Sequence, residues 1–273
     1  MRVLSSDELQ TAETALFGRL PKCAMVYGYV FAVNRGKPHR LQVLVDTWPT
    51  FTTVIVRSSL ADCVGKVAIY STNEKALRRI LTEENGVDWR TNLLIRGCDV
   101  QHSPILKEIS ASMGFSMKVY SMVHLMTLSD SSHLHDHSTS DLESKVSVLN
   151  ESHADLVNKT WKFGGDDKGY SYILNLIQHF PTCCITDDNH QIVSWVLLYD
   201  YCAIGMLYTL PEYRGKGYAK SLVARMATHL HSQGYPVYCF IEEFNHPSYN
   251  LFTSLGFTED PSYRAGWYEC AKG

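Results

Sequence analysis

Apolar residues in the second half of the chain recur at strand and helix periods that follow one another in a regular order. Residues 145–149 predict a strand, 153–161 and 170–180 two helices, and 182–186, 192–199 and 203–210 three further strands. Between 217 and 233 the apolar positions Tyr218, Leu222, Val223, Met226, Ala227 and Leu230 recur at spacings of three and four, the stripe of a long amphipathic helix, and Gly234 closes it. Residues 237–242 then read as a strand, 247–255 as a short helix stopped by Gly256, and 263–270 as a last strand. The predicted order is β-α-α-β-β-β-α-β-α-β.

The first half is less regular. Residues 24–33 (AMVYGYVFAV) read as a strand, Asn34 to Pro38 as turn chemistry and 41–45 as a second strand, which together predict a hairpin. Short strands at 52–56 and 66–70 and a helix at 74–84, carrying Leu77, Ile80 and Leu81, complete a mixed α and β pattern. From 128 to 144 the sequence turns Ser, His and Asp rich and loses apolar periodicity, which predicts an exposed linker. The expected organisation is therefore an α/β (α+β) chain with domains at 1–127 and 145–273 joined by 128–144. No repeat of fixed period is visible, although the similar element content of the two halves leaves room for a diverged duplication.

Composition narrows the classes. With 273 residues, 45% of them apolar and 19% charged, the chain has material for two folded domains and lies far from the disordered range. A formal charge of −3 provides no basic field, so no nucleic-acid partner is expected. The most apolar stretch, 192–208, is interrupted by Asp200 and alternates like strands, so no transmembrane segment is expected. The first 22 residues carry Asp7, Glu8 and Glu13, which argues against a secretory signal and shows no evident mitochondrial presequence. Eight scattered cysteines without a CxxC pair read as reduced, mostly buried thiols of an intracellular protein.

The candidate chemistry lies where the strand at 203–210 runs through Pro211, Glu212 and Tyr213 into Arg214-Gly215-Lys216-Gly217-Tyr218-Ala219 and the long helix. The first N–H groups of a helix lack intrahelical acceptors and sit at the positive end of its dipole, so they suit a pyrophosphate. Gly215 and Gly217 let the backbone turn and approach such a ligand, and Arg214, Lys216 and Lys220 add positive charge. No carboxylate occupies the first turn after Gly217, a place a self-sufficient helix often fills. A glycine-bearing turn with solvated basic residues is the bland alternative; the flanking strand and helix, and a second block downstream, favour phosphate binding.

That loop resembles the R/Q-x-x-G-x-G/A pyrophosphate loop of the GNAT superfamily, and Asn245, Ser248, Leu251, Gly256 and Phe257 resemble its Asn-x-x-Ala/Ser-x-x-Leu-(Tyr)-x-x-x-Gly-Phe block. Within it, the chain is similar to the glycine N-acyltransferase family, glycine N-acyltransferase-like members included. The stretches VYGYVFAVNRGKP (26–38), VDTWPTF (45–51), LVNKTWKFGG (156–165), FPTCC (180–184), TLPEYRGKGY (209–218) and SQGYPVY (232–238) carry this likeness along nearly the whole chain. The resemblance implies a GNAT fold in the C-terminal half and a mixed, GNAT-like α/β domain before it. It also implies transfer of an acyl group from acyl-CoA to the amine of glycine or a related small amino acid, through a ternary complex. Acyl-CoA enters as co-substrate and no permanently bound cofactor or metal is expected.

By the same resemblance the backbone of Leu207, Tyr208, Thr209 and Leu210 meets the thioester and pantetheine, while Arg214 to Lys220, with Asn245 and Ser248, hold the nucleotide end of CoA. Backbone donors aimed at a developing oxyanion are worth most in a dry site. The incoming ammonium must lose a proton. The resemblance puts a glutamate base six residues before Thr209, where this chain has Ala203, and a thiolate-protonating tyrosine where it has Phe252. Glu242 at the end of the next strand, Asp200, or an unplaced histidine are the replacements, or else the enzyme relies on the small free-amine fraction.

Other residues carry blander expectations. Cys183 and Cys184 read as core thiols, and His133, His135 and His137 as part of a polar segment with no closed ligand geometry. Trp161, Phe163, Gly164 and Gly165 resemble a WxFGG segment that either walls a substrate pocket or packs a helix end. Tyr27, Asn34, Asp46, Trp48 and Pro49 match family positions with a structural role as default. The competing functions are a non-catalytic or weakly active acyl-CoA-binding protein, motivated by Ala203 and Phe252, and a protein or peptide N-acetyltransferase. The expected state is a monomer; family analogy favours mitochondria, then cytoplasm.

Overall fold

A computed structural model of the protein describes residues 1–58, 64–83, 86–132, 134 and 145–273. Its first half runs β1 (Arg2–Val3), α1 (Ser6–Phe17), α2 (Ala24–Asn34), β2 (Leu41–Val45), β3 (Thr53–Ser58), β4 (Val64–Ser71), α3 (Glu74–Thr82), β5 (Asn92–Asp99), α4 (Ser103–Ser112) and β6 (Phe115–Thr127). The second half runs β7 (Val146–Ser147), α5 (Ala154–Thr160), α6 (Asp167–His179), β8 (Thr182–Thr186), β9 (Ile192–Leu198), β10 (Ile204–Thr209), α7 (Tyr218–Ser232), β11 (Tyr238–Glu242), α8 (His246–Ser254), β12 (Thr258–Glu259) and β13 (Ala265–Lys272). The order read from the second half thus recurs in the first, with β12 as the one addition, as a duplicated unit would give.

The expected hairpin at 24–45 is wrong. Residues 24–33 form the helix α2, and β2 pairs with β1 and β3 instead. Every residue from Ala24 to Ala32 is buried, so the helix has no polar face and leaves no 3.6-residue signature, while its Val, Tyr and Phe content mimics a strand. The expected exposed linker also needs correction at its start. Leu128, Ser131 and Leu134 are buried, because Leu128 N–H donates to Val237 O (3.0 Å) and Ser131 Oγ bonds His231 Nδ1 (2.7 Å). His133, His135 and His137 lie outside the described residues.

The contacts group the chain into two compact units that are not contiguous in sequence. The first comprises Met1–Leu125 with Ile241–Phe244 and Glu259–Gly273; the second comprises Met126–Phe240 with Asn245–Thr258. In the first, the strand order is β1-β2-β3-β4-β5-β13-β6, antiparallel except between β4 and β5. β13, which the sequence places within 145–273, bonds on one side to β5 and on the other to β6, and so groups with the first unit. Leu77, Ile80, Leu93, Ile95 and Leu106 centre its core.

In the second unit the order is β11-β10-β9-β8-β7, with β10 and β11 parallel and the other pairs antiparallel. All seven residues of β9 are buried, which requires cover on both faces; α6 and α7 both pack on it. Trp195 on β9 is fully buried and stacks on Tyr208 of β10 at 5.2 Å between ring centroids. Trp195→Ala should therefore cost about 3–5 kcal/mol of stability, seen as a lower urea midpoint. A midpoint within error of the parent would contradict this packing. Among the described residues no helix is long and apolar enough to cross a membrane.

Candidate functional site

The loop singled out from the sequence lies between β10 and α7. A single 3-10 turn at Pro211–Tyr213 follows Leu210, after which Gly215 (φ 76°) and Gly217 (φ 78°) adopt left-handed backbone that residues with a Cβ disfavour. A Cβ at either glycine would meet no atom within 4 Å beyond its chain neighbours, so neither position is crowded by the protein. Gly217 stands at the N-cap of α7 and supplies no side-chain acceptor, and the first turn holds no acid. Ser221 N–H bonds back to Gly217 O (3.0 Å), while those of Tyr218, Ala219 and Lys220 come before any intrahelical acceptor.

The corresponding turn of the first unit is closed. There Asn73 Oδ1 accepts Ala76 N–H (3.1 Å) and Glu74 occupies the first turn of α3. Asp166 does the same for α6, accepting Gly169 N–H at 2.7 Å. The N-terminus of α7, by contrast, has no side-chain cap and no acid in its first turn, while Arg214, Lys216 and Lys220 are its neighbours in sequence, Lys216 Nζ lying 4.8 Å from the Tyr213 ring centroid.

β10 leads into this cradle at a widening in the sheet. Its register with β11 is the single pair Ile204↔Cys239. On its other edge it stays paired with β9, through a bulge between Gly205 and Tyr208 at which Met206 takes φ 49°. Leu210 N–H donates to Val193 O (2.9 Å), so that group, one of four expected to meet the ligand, is committed to β9. Alternation along an antiparallel strand then turns Thr209 N–H toward the opposite edge, where β11 has parted. Leu207 lies inside the bulge.

Two braces hold the loop that sequence reasoning missed. Tyr213 Oη donates to Asp187 Oδ2 (3.1 Å), and that carboxylate also accepts the N–H groups of Asn189 and Gln191 at 2.9 Å each. The Gln191 N–H, first among these bonds, holds the Asp187 carboxyl below its ordinary range, and the bond to Asp187 pushes the Tyr213 phenol up. Arg214 Nε donates to Thr209 O (3.0 Å) with its guanidinium 5.6 Å from the Tyr208 ring centroid, so this arginine fastens the turn to β10 while keeping further N–H groups for a ligand. Tyr213→Phe should raise KM for the CoA substrate by about two- to ten-fold with kcat unchanged, the effect of losing one hydrogen bond that shapes the site. A fall in kcat at constant KM would count against a positioning role.

The remaining candidates are placed as follows. Asn245 Oδ1 caps α8 by accepting Ser248 N–H (3.3 Å), and α8 packs against α7. Glu242 is half-buried, accepts Ser121 Oγ–H (3.0 Å) and groups with the first unit, whereas residues 207–220, 245 and 248 belong to the second. Asp200 accepts Tyr172 Oη–H at 2.8 Å. Ala203 is buried, and its carbonyl accepts Tyr199 N–H (2.9 Å). Phe252 is buried edge-on to Phe257, with ring centroids 5.0 Å apart.

Cys183 and Cys184 are buried core thiols, as expected, and desolvation pushes both up to about 11, which suppresses the thiolate. In the WxFGG segment, Trp161 packs edge-on to Phe163 (5.6 Å) and Gly165 N–H donates to Asn158 Oδ1 (3.0 Å), which is helix-end packing.

Residues 1–181 match the family model described as aralkyl acyl-CoA:amino acid N-acyltransferase, and 184–265 match FR47-like protein. The chain belongs to the aralkyl acyl-CoA:amino acid N-acyltransferase family. Relatives of this family member include a Mus musculus glycine N-acyltransferase-like protein, 30% identical over 99% of both chains. A Bos taurus glycine N-acyltransferase is 28% identical over 95% of each, and a Bos taurus glycine N-phenylacetyltransferase 30% identical over 87% of this chain and 88% of that one.

Among solved structures, a Drosophila protein superposes with a TM-score of 0.82 at 19% identity, covering 99% of this chain and 98% of its own. A tandem GNAT protein from the clavulanic acid biosynthesis pathway gives 0.59 at 14% identity, covering 99% and 98%. The N-acyltransferase family member therefore has the GNAT fold, and the tandem match spans both of its halves.

Proposed function

We propose that the chain transfers an acyl group from acyl-CoA to the amine of glycine or a related small amino acid. The observation that carries this reading is the N-terminus of α7, uncapped and free of acid, placed where β10 parts from β11. Its first N–H groups, with Arg214, Lys216 and Lys220, suit the pyrophosphate of CoA. Thr209 N–H faces the gap along which a pantetheine arm would run. Family membership and the names of the relatives support acyl-CoA and an amino acid as the substrate classes.

In this reaction the free amine attacks the thioester carbonyl carbon, a C–N bond forms, and the electron pair of the C=O moves onto oxygen. The tetrahedral state then collapses as the C–S bond breaks, the CoA thiolate leaves, and the nitrogen loses its proton. Thr209 N–H, turned toward the gap, is the β10 donor we assign to lowering the cost of the oxyanion. Glu242 is our candidate for receiving the proton through water.

A second reading is favoured by two observations. Ala203 and Phe252, where the family likeness expects a base and a thiolate-protonating tyrosine, are hydrocarbon and buried. A chain so equipped would bind acyl-CoA and turn it over slowly.

A matrix of acyl-CoAs against free amino acids, read by CoA thiol release and paired with calorimetry of CoA binding, tests both readings. Glycine-dependent release supports the first, and tight binding with little turnover supports the second. Turnover of peptide amines with acetyl-CoA alone would replace glycine transfer by peptide N-acetylation, and failure to bind CoA overturns all three. By family analogy we place the protein in mitochondria, to be checked by imaging a tagged chain.

A further inference from the structure

A cavity of about 610 Å³ opens in the second unit between the end of α6, strands β7 and β8, and the middle turns of α7. It shares no residue with the cradle at 207–220, Asn245 and Ser248. Its size falls within the range of small-molecule sites, about 300–1,000 Å³.

Val148, Leu149, Ile177, Phe180 and Met226 give it a hydrocarbon wall, and Val148 remains 65% exposed at the mouth, unusual for a branched aliphatic side chain. Against that wall stand Arg225 and His229, one turn apart and therefore on the same face of α7. Among the described residues no carboxylate lines the cavity and Arg225 makes no ion pair. The thiol of Cys183, which also lines it, is pushed up to about 11 by burial and supplies no counter-charge.

A guanidinium with no ion-pair partner among the described residues, beside a hydrocarbon trough, selects for both charge and shape. A carboxylate matches the planar fork of Arg225 through two parallel N–H···O bonds, and an alkyl or aryl tail removes the wall from water. One guanidinium and one imidazole form a head-group site for a monoanion.

We propose that this cavity binds a carboxylate bearing an apolar tail, its head group on Arg225 beside His229 and its tail along Val148, Leu149 and Phe180. A free fatty acid and an N-acyl amino acid share this chemistry, so both are tried.

The test uses the full chain labelled with methyl-13C methionine, in the presence of saturating CoA. Octanoate, N-octanoylglycine and, as a neutral control, 1-octanol are each titrated while the Met226 methyl resonance, assigned from Met226→Leu, is followed. At least one acid is expected to move that resonance saturably and the alcohol not. Arg225→Gln should weaken the response by about ten-fold or more, as loss of a charged hydrogen-bonding partner implies. Val148→Asp, at an exposed position, should weaken it as well by placing like charge at the mouth.

The acid that binds more tightly identifies the source, and either supports the proposal. A Met226 methyl unmoved by both acids overturns it. So does equal binding of 1-octanol, an Arg225→Gln titration that matches the parent, or competition between the acid and CoA, which would put the acid in the acyl-CoA channel. The other methionine methyls report whether each variant remains folded.

Discussion

Arg214→Ala combined with Gly217→Asp is expected to abolish CoA binding in a protein that still folds. Gly217 has φ 78°, a backbone region that aspartate tolerates better than most residues, and a Cβ there meets nothing within 4 Å. The backbone strain, about 1–2 kcal/mol, is partly offset by a negative charge at a helix N-terminus, about 0.3–1 kcal/mol. Stability should therefore change little. The carboxylate would instead stand where the α7 N–H groups await an anion, and would repel a pyrophosphate. Removing Arg214 takes away a cation and also the brace on Thr209 O.

Charge-assisted hydrogen bonds are worth about 1.5–3 kcal/mol each, so the loss of two corresponds to at least about a hundred-fold and up to about ten-thousand-fold weaker binding. Calorimetry with CoA, alongside a thermal melt, measures both effects. Gly217→Ala separates them, since it carries the strain without the charge and should retain most of the affinity. If the double variant binds CoA within ten-fold of the parent, the cradle at 214–220 is not where the nucleotide sits.

The cradle was legible in the sequence because its determinants are local. Strand end, turn glycines, basic residues and helix start lie within the one continuous stretch 209–220. The long helix α7 was legible for the same reason, with a polar face against an apolar one. α2 hid because burial on all sides removes that contrast.

What holds the cradle in place could not be read. Tyr213 and Asp187 are 26 residues apart, and nothing in the composition of either segment names the other. β13 between β5 and β6 joins residues more than a hundred positions apart, so its sequence marks a strand without marking its neighbours. The placement of Glu242 beside Ser121, 121 residues away, belongs to the same class. Long-range pairing is decided by the whole core, and periodicity reports only on a segment's own faces.

Ala203→Glu should raise kcat by about a hundred-fold if a missing base is all that separates this chain from a fast acyltransferase, since a positioned general base is worth about 10²–10⁴. Ala203 is 1% exposed and immediately precedes β10. A carboxyl introduced there loses solvent, which disfavours its charged form and lifts its pKa above the usual value of about 4.3, toward the range where a base works at neutral pH. Two pH dependences follow from that one shift. The rate should climb as pH rises through the raised pKa, because only the ionised form accepts the proton.

Stability should move the other way. The folded-state pKa exceeds the unfolded one, so the variant is most stable below the unfolded value and loses stability as pH rises through the folded value. Ala203→Gln adds similar bulk without a base and separates the two effects: it should share the packing cost and show neither the rate gain nor the pH-dependent loss. A variant that binds CoA normally and melts with this pH dependence, yet turns over no faster, would show that the proton leaves by another route. Glu242→Gln, which keeps an acceptor oxygen toward Ser121 while removing the charge, is then the substitution that should stop the reaction.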